Sequence, residues 1–409
     1  MISHQKWINR SHSNVTKHYD VIIVGGGLAG LSLSCLLGQI EGLKVACLDR
    51  ETAQAHINKD ERTTAISYGS SQILERAGVW QAILKQGCPI KNIEILDDDS
   101  PVLLQFLSKE VEDKPFGWII PNVHLRTCLI DKIKQYKNVE MIAPAQAKTF
   151  NITEDKASLL CEDGTALTAS LIIGADGRNS VVRDFMDVPV RQWNYKQQAV
   201  VCFVKHQNPH EHKAVEHFWP GGPFAILPMN DAPDNTHRSS LVFTEHQGNQ
   251  TSLMSLSDEV FQYKVAEKFP ESYGEIEIID HKRMAYPLSL VHATEYIAPR
   301  MVLVADAAHG IHPIAGQGLN LGFRDIDTLT SLIEGTHKNG KDIGAHELLL
   351  SYQRKRRPDN MAMIVFTDTL VRLFSNNLKS VRLARKIGLR TVSRIGKAKQ
   401  FFMRRAMGE

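Results

Sequence analysis

The chain has 409 residues, of which 43% are hydrophobic and 23% are charged, and its formal net charge at pH 7 is +3. These values are typical of a folded protein with two or three domains. Because no apolar run reaches about 18 residues, a membrane-spanning helix is not expected. The six cysteines are scattered and form no C-x-x-C pair, which argues against a disulfide framework and against a zinc site.

The two ends of the chain differ from the rest. Residues 1–19 lack the apolar core of a secretory signal, so we expect a disordered N-terminal extension, with a transit peptide as the alternative. Residues 376–409 carry ten Lys/Arg and one acid, a net charge of +9, whereas the other residues sum to −6. An apolar stripe between these cations is formed by Val381, Ala384, Gly388, Val392 and Ile395. Such a helix is suited to an anionic membrane surface or a partner protein; the alternative is a solvated helix packed on the domain.

A βαβ pattern opens the ordered part of the chain. A short strand, Asp20–Val24, leads into a G-x-G-x-x-G turn and an apolar helical stretch, and a second strand, Leu43–Leu48, ends at Asp49. The glycines of the turn are Gly25, Gly27 and Gly30. They allow a tight turn, close approach of a pyrophosphate, and close packing of helix on strand, while the acid is placed to bind ribose hydroxyls.

Two loop-then-helix segments and one turn supply further candidates. Arg62 lies in the loop of residues 60–80 and Arg126 near the start of the helix in residues 116–135. Either arginine could balance an anionic pyrophosphate, although a solvated surface arginine is the commoner case. A strand at Leu167–Ile173 leads to Asp176 and Gly177, a pair that usually marks only a turn.

The segment Met301–Gly322 carries the strongest functional signal. A short apolar strand ends at Asp306, and a loop leads to a glycine-rich turn that opens a helix at Gly316 and Gly318. A carboxylate accepts hydrogen bonds from hydroxyls, and a bare helix N-terminus favours an anionic group. These two features suit a flavin, whose ribityl chain has hydroxyls and whose reduced ring is negatively charged.

Residues 190–290 change character, with short alternating runs separated by turn-rich segments. This pattern predicts an antiparallel sheet that covers a pocket. The fold class is therefore α/β, with a Rossmann-like FAD-binding domain, an inserted antiparallel β-sheet substrate domain and a C-terminal helical tail. The expected boundaries are 1–19 (extension), 20–189 and 291–345 (FAD-binding domain), 190–290 (sheet domain) and 346–409 (basic helical region).

These segments occur in an order that resembles one enzyme family. GADGRNSVVR, HFWPGGPFAILPM and ADAAHGIHPIAGQGLNLGFRD are similar to the class A flavoprotein monooxygenases with the p-hydroxybenzoate hydroxylase fold. The similarity is closest to the ubiquinone-biosynthesis hydroxylases and covers about residues 20–409. It implies FAD as cofactor, NAD(P)H as a transient reductant that needs no second Rossmann unit, and oxygen insertion by the flavin.

The resemblance also assigns residues. It implies that FAD is held by Gly25, Gly27, Gly30, Asp49, Arg62, Arg126, Asp176, Gly177, Asp306, Pro313, Gly316, Gly318, Leu319 and Asn320. The family usually has glycine before the aspartate, and this chain has Ala305, whose methyl group we expect to crowd the cofactor without abolishing binding. His309 and His312 are weak candidates for proton movement, and hydrogen bonding to loop backbone is the favoured interpretation. No metal site is expected.

The resulting hypothesis is hydroxylation of the ring of a polyprenylated phenol by O₂ in ubiquinone biosynthesis. The enzyme would be cytoplasmic and peripheral to the inner membrane, or in the mitochondrial matrix in a eukaryote, and it would bind the membrane or a quinone-biosynthesis complex through residues 376–409. No nucleic-acid partner is expected. The alternatives are a soluble aromatic hydroxylase or epoxidase of the same superfamily and a non-catalytic flavoprotein scaffold.

Overall fold

A computed structural model describes most of the chain. It describes residues 17–52, 54–55, 60–97, 103–219, 221–248, 251–312, 316–374, 388, 392 and 395–408. The strands are β1 Lys17–Val24, β2 Val45–Leu48, β3 Thr63–Ser67, β4 Cys88–Ile90, β5 Asn92–Asp97, β6 Leu104–Leu107, β7 Gly117–Pro121, β8 Val139–Ile142, β9 Ala147–Ile152, β10 Ala157–Cys161, β11 Ala166–Gly174, β12 Val190–His206, β13 Lys213–Trp219, β14 Gly222–Met229, β15 His237–His246, β16 Ile276–Ile278, β17 Met284–Ala293, β18 Ile297–Ala298, β19 Met301–Leu303 and β20 His309–Gly310. The α-helices are α1 Leu28–Leu37, α2 Tyr68–Arg76, α3 Trp80–Leu84, α4 Asn122–Ile133, α5 Val181–Phe185, α6 Asp258–Ala266, α7 Gln317–Lys338, α8 His346–Phe374 and α9 Gly396–Met407.

The first sheet is the nucleotide-binding type of sheet that the βαβ pattern predicts. Its strand order is β18-β19-β11-β1-β2-β8, with β10 and β9 attached beside β11. The central pairs β1·β11, β1·β2, β2·β8 and β11·β19 are parallel. Strands β2 and β19 are apolar and fully buried, and so are the last four residues of β1 and of β11, as expected for a parallel sheet covered on both faces. The carboxyl ends of β1, β11 and β19 therefore meet at one edge, where β1 leads into the glycine turn.

The second sheet is the antiparallel sheet expected from the alternating runs. Its order is β20-β17-β12-β15-β14-β13-β5-β6, and β16 pairs with β12. The 17-residue strand β12 is the longest and has a register shift between Asn194 and Gln197. A third, small sheet, β3-β7-β4, contacts β14 of the second sheet and helix α7.

Several expected boundaries differ from the structure. Strand β1 begins at Lys17, so the expected extension of residues 1–19 ends inside a strand; residues 1–16 lie outside the described part. Strands β5 and β6 come from the segment assigned to the FAD-binding domain, yet they extend the second sheet by parallel pairing of β5 with β13. Strand β17 runs past residue 290, and β20 joins it from the return segment. Sequence order alone gives no signal for these non-local pairings.

The C-terminal helix α9 packs on the body of the protein. Met403 and Met407 are buried in an apolar cluster with Ile90, Phe106 and Met229, and Lys399 lies 2.7 Å from Glu110. Residues 376–387, 389–391, 393–394 and 409 of the expected basic tail, with Val381 and Ala384 of its stripe, lie outside the described residues. Among the described residues, no helix is long and apolar enough to cross a membrane.

Candidate active site

The glycine turn after β1 has the geometry that its spacing predicts. Gly25 has a φ of +110°, and a Cβ there would lie 2.4 Å from the carbonyl oxygen of Ala175. A Cβ on Gly30 would lie 1.9 Å from the carbonyl oxygen of Gly25. Gly27, the N-cap of α1, has no atom within 4 Å of its Cβ position. The outer glycines therefore allow close packing, and the middle one leaves space open at a helix N-terminus.

Asp49 and Arg126 hold this turn from two sides. The Asp49 carboxylate accepts hydrogen bonds from the backbone N–H of Gly26 at 2.7 Å and of Glu51 at 2.8 Å. Arg126 donates from Nη1 to the carbonyl oxygen of Gly26 at 2.8 Å. Its Nε is buried and has no hydrogen-bond partner among the described residues, and burial lowers the pKa of Arg126. The sequence analysis missed Gly26, whose N–H and carbonyl oxygen connect both side chains.

Arg62 is engaged in an ion pair near the same edge. Its guanidinium lies 2.7 Å from Asp60 and 4.9 Å from the ring centre of Tyr286 in β17. Asn122 donates to Asp60 at 3.0 Å. Burial acts to lower the pKa of Arg62, but the Asp60 carboxylate raises it on balance. Arg62 therefore lies where the two large sheets approach each other and is paired with Asp60, while its side chain stays 43% exposed.

Asp176 and Gly177 form the turn after β11. The Asp176 carboxylate accepts hydrogen bonds from the Ser180 hydroxyl and from the Val182 N–H, which fixes the start of α5. Burial raises the pKa of Asp176 against these hydrogen bonds. Gly177 has a φ of +83° with no atom within 4 Å of its Cβ position. The pair is thus more than a simple turn, because its carboxylate is committed to a helix N-terminus.

Two arginines of the same motif connect it to the later flavin-type segment. Arg178 donates from Nε to Asp306 at 3.4 Å, from Nη1 to the carbonyl oxygen of Ser289 at 3.1 Å, and from Nη2 to that of Ile311 at 3.0 Å. Arg183 donates to the carbonyl oxygen of Ala307 at 3.0 Å. The sequence analysis named neither arginine as a site residue, although both stand in the quoted segment GADGRNSVVR.

Asp306 lies in a short 3-10 helix, Ala305–Ala307, directly after β19. Its side chain is 44% exposed, so it is available to a ligand. Ala305 has a φ of +53°, a left-handed conformation that favours glycine. Its Cβ faces Gly322 of α7, where an added Cβ would lie 2.7 Å away. The methyl group that we expected to crowd the cofactor is therefore directed at a helix glycine.

A buried polar cluster supports this segment from behind. The carboxylate of Asp325 in α7 accepts hydrogen bonds from the Ala305 N–H at 3.0 Å and from Arg356 Nε at 2.8 Å, and it lies 2.5 Å from His309 Nε2. Asn360 donates to the same carboxylate at 3.0 Å. Burial acts to raise the pKa of Asp325, but His309 and Arg356 hold it well below its usual range. His309 is therefore bound to a buried carboxylate instead of to loop backbone.

The helix start at residue 316 is held against the small sheet. Gly316 has a φ of +63°, and its Cβ position lies 3.0 Å from the Cβ of Ala65. The Asn320 amide accepts from the Ser67 N–H and donates to the carbonyl oxygens of Ala65 and Gly316, each at 2.9 Å. Asn320 therefore fixes the turn instead of presenting its amide to a ligand. Gly318 and Leu319 are partly accessible, and Pro313 lies outside the described residues.

His312 and a separate histidine group complete the candidates. The His312 ring packs edge-on against Tyr195 of β12, with 5.0 Å between ring centres, and burial lowers its pKa to about 4. In a second group, His206 and His210 are buried and His212 is half-buried. His210 and His212 lie with Cys88, their ligand atoms all within 4.8 Å of one another.

Fold and site together define the class of the protein. Residues 18–367 match the family model described as FAD binding domain, and the chain belongs to this family of FAD-dependent monooxygenases. It is 39% identical to the ubiquinone hydroxylase UbiL of Rhodospirillum rubrum, with 95% of this chain and 89% of the relative covered. It is 30% identical to the 3-demethoxyubiquinol 3-hydroxylase of Escherichia coli, with 95% and 98% covered.

Solved structures support the fold assignment. The p-nitrophenol 4-monooxygenase PnpA of Pseudomonas putida superposes with a TM-score of 0.78 at 16% identity, covering 96% of this chain and 99% of that one. The family match and the curated relatives confirm the resemblance to the class A monooxygenases and the cofactor FAD, and the superposition confirms the fold class. The sequence-assigned roles of individual site residues and the domain boundaries stay predictions.

Proposed function

We propose that this FAD-dependent monooxygenase hydroxylates the aromatic ring of a polyprenylated phenol in ubiquinone biosynthesis. The observation that carries the proposal is a relative named ubiquinone hydroxylase, 39% identical along 95% of the chain. The structure adds that the two segments needed for a flavin lie together, since Arg178 of the GADGR turn contacts Asp306 at 3.4 Å. The substrate, by this proposal, is a phenol carrying a polyprenyl chain, and O₂ is the oxidant.

The described residues fit FAD. The open Cβ position at Gly27 and the unpartnered buried Nε of Arg126 suit a pyrophosphate at the N-terminus of α1. By this proposal Asp49 binds the adenosine ribose and Asp306 the ribityl hydroxyls. Gly316, Gly318 and Leu319 line the ring. Asn320, with Ser67 and Ala65, positions that helix start. When bound, the flavin supplies the oxygen-transfer chemistry.

NAD(P)H serves as the reductant in this proposal, as is typical of the family. We place its docking near Asp176 and Gly177, because Gly177 leaves open space beside the flavin segment. The domain division is proposed with β5 and β6 assigned to the substrate sheet, since they pair with β13 and with each other.

We further propose a peripheral position at the membrane that holds the substrate. Exposed apolar side chains lie near the C-terminus of the described chain: Val365 is 58%, Phe401 56% and Ile395 50% exposed. Phe402 stacks on Phe366 at 6.2 Å, which brings α8 and α9 together. Arg404, Arg405 and Lys397 accompany this surface, so it suits an anionic bilayer. The corresponding location is the cytoplasmic face of the inner membrane or the mitochondrial matrix.

The function is tested by lipid analysis of cells that lack this chain. We expect ubiquinone to fall and a polyprenylated phenol lacking one ring hydroxyl to accumulate, and reintroduction of the chain to restore ubiquinone. The purified FAD-loaded protein, supplied with that phenol, NAD(P)H and O₂, should form the hydroxylated product. Normal ubiquinone without an accumulated precursor, together with turnover of a small soluble phenol, would favour the soluble-hydroxylase alternative. A flavin-loaded protein that turns over neither would favour the scaffold alternative.

The membrane contact needs point substitutions, because deletion of the tail would also remove the buried Met403 and Met407. Phe401→Ser and Ile395→Ser should weaken binding to vesicles of phosphatidylglycerol and phosphatidylcholine. Tyr263→Ser, at a residue 69% exposed on α6, is the matched control and should bind like the unaltered protein. Equal binding by all three variants would contradict a contact through this surface.

A further inference from the structure

The antiparallel sheet has two chemically distinct faces. Val215, Ile226 and Leu241 belong to a cluster with Phe261 of α6, so they face away from the flavin-binding domain. Ala214 and Met229 belong to a cluster with Met403 and Ala65. Because side chains alternate along a strand, residues in the same phase as Ala214 form what we call the inner face, directed toward β3 and the helix start at residue 316.

One row across the inner face is apolar except at a single position. The strand register places Val201 opposite Val242, Val242 opposite Ala225, and Ala225 opposite Glu216. Glu216 in turn lies opposite Ile95 of β5. The carboxyl group therefore stands in a row of small and medium apolar side chains, which leave more room than the Phe203 and Phe218 positions in the adjacent rows.

Glu216 lies between two places where the inner face reaches the flavin-binding domain. On one side Ser240 is 3.0 Å from the hydroxyl of Thr63 in β3. On the other side Phe218 clusters with Phe374 and Tyr195, and Tyr195 packs on His312 of the flavin segment. Glu216 therefore stands on the inner face between these two contacts.

The Glu216 side chain is half-buried, and its carboxyl has no partner among the described residues. No hydrogen bond or ion pair from another described residue reaches it, and burial alone raises its pKa to about 7. The residue nevertheless keeps an intermediate exposure, which indicates that it borders space instead of packed atoms. The charged and titratable groups near this face include Tyr68, Asp97, Tyr195, Asp368, Tyr286, Arg62 and Lys399, and burial accounts for the shift in the pKa of Glu216.

We propose that Glu216 binds the phenolic hydroxyl of the substrate and accepts its proton during hydroxylation. The inference rests on the proposed function, because it takes the substrate to be a phenol. The carboxylate accepts a hydrogen bond from the phenol in the bound state. As the ring is attacked, the phenolic O–H bond breaks, an O–H bond forms on Glu216, and the oxygen electron pair enters the ring. The ring hydrogen then leaves as a proton to solvent, its electron pair restores aromaticity, and the proton on Glu216 returns to the phenolic oxygen.

Binding of a phenol and of its methyl ether to the FAD-loaded protein tests the contact without turnover. The probes are 2-prenylphenol and 2-prenylanisole, and the affinities are measured by calorimetry at pH 8 and pH 6. The unaltered protein should prefer the phenol about 10-fold or more at pH 8, as expected for a hydrogen bond to a charged acceptor, and less at pH 6. Glu216→Gln should keep a smaller preference that is independent of pH, and Glu216→Leu should show none.

Turnover gives a second readout. Glu216→Gln should lower kcat on the order of 100-fold, a typical contribution of a proton acceptor, while KM rises by no more than the loss of phenol affinity and the FAD content is unchanged. Glu277→Gln is the control, because Glu277 is an exposed glutamate of the same sheet paired with Lys205 at 2.9 Å. A phenol preference that persists in Glu216→Leu, or full kcat in Glu216→Gln, overturns the inference and leaves the proposed function intact. Failure of the unaltered protein to hydroxylate any polyprenylated phenol refutes the function instead.

Discussion

Asp325→Asn is the substitution that most directly tests how the flavin segment is supported. Asp325 is fully buried and accepts hydrogen bonds from Ala305 and Arg356, with His309 Nε2 at 2.5 Å. An asparagine keeps the shape but replaces one acceptor oxygen with an NH₂ group and removes the negative charge. Loss of one partner of a buried ion pair costs about 3–5 kcal/mol, because the other charge stays buried. We expect the free energy of unfolding to fall by that amount.

Urea unfolding of the FAD-loaded protein, followed by flavin fluorescence and circular dichroism, measures this change. Asp359→Asn is the matched control: Asp359 also lies 2.8 Å from Arg356, but its side chain is 25% exposed and Arg356 keeps Asp325. Asp359 also pairs with Arg324 at 3.1 Å, so the control should lose stability too, but less than Asp325→Asn, because its partly exposed carboxylate is screened by water. If Asp325→Asn is no more destabilising than Asp359→Asn, the buried carboxylate does not anchor the segment and our reasoning is wrong.

Three further predictions concern backbone and titration. Gly30→Ala should abolish FAD binding and strongly destabilise the fold, because its Cβ would lie 1.9 Å from a carbonyl oxygen. Gly27→Ala has no atom within 4 Å of the added Cβ. It should therefore fold normally and lose only FAD affinity, which a flavin titration measures. Ala305→Gly should raise the free energy of unfolding by up to about 1 kcal/mol, since relief of the left-handed strain outweighs the added chain entropy. Ala308→Gly is the control: the φ of Ala308 is −90°, so this substitution should lower the free energy of unfolding. A loss of stability in both variants would contradict strain at Ala305. Burial lowers the pKa of His312 from 6.5 to about 4. Between these pH values the unfolded chain binds more protons than the folded protein, so the free energy of unfolding falls as the pH drops through this range. His312→Asn should flatten this part of the profile of stability against pH, and an unchanged profile would exclude His312 as its source.

The sequence predicted those parts of the fold that depend on local pattern. The turn at Gly25–Gly30 could be recognised because strand, glycine spacing and helix follow one another within a few residues. The flavin segment was recognisable for the same reason, since Asp306 ends a strand and Gly316 begins a helix. Alternation of apolar residues predicted the antiparallel sheet, although its strands proved longer than the alternating runs.

The parts that could not be predicted depend on contacts between distant segments. Pairing of β5 with β13 joins residues about 120 positions apart, and neither strand shows a signal for the other. The contacts of Arg178 with Ser289 and Ile311 are likewise fixed by the tertiary fold. An arginine in a turn looks the same in sequence whether it is solvated or binds two other segments.

The difference between local pattern and contacts with distant segments also changes the interpretation of the segment from Ala305 to Asn320. In sequence its polar residues resemble a row of cofactor ligands, yet His309 contacts Asp325 and Asn320 contacts β3. Of Asp306, His309 and Asn320, only Asp306 keeps a largely accessible side chain, which is 44% exposed. Because Asp325 is bound in turn by Arg356 and Asn360 of α8, that helix fixes the shape of the flavin segment. It also reaches the second, antiparallel sheet, where Phe374 stacks on Phe218 at 3.6 Å. A single helix therefore connects the segment expected to hold the flavin with the strand that carries Glu216, so a substitution along α8 should alter cofactor affinity and phenol affinity together.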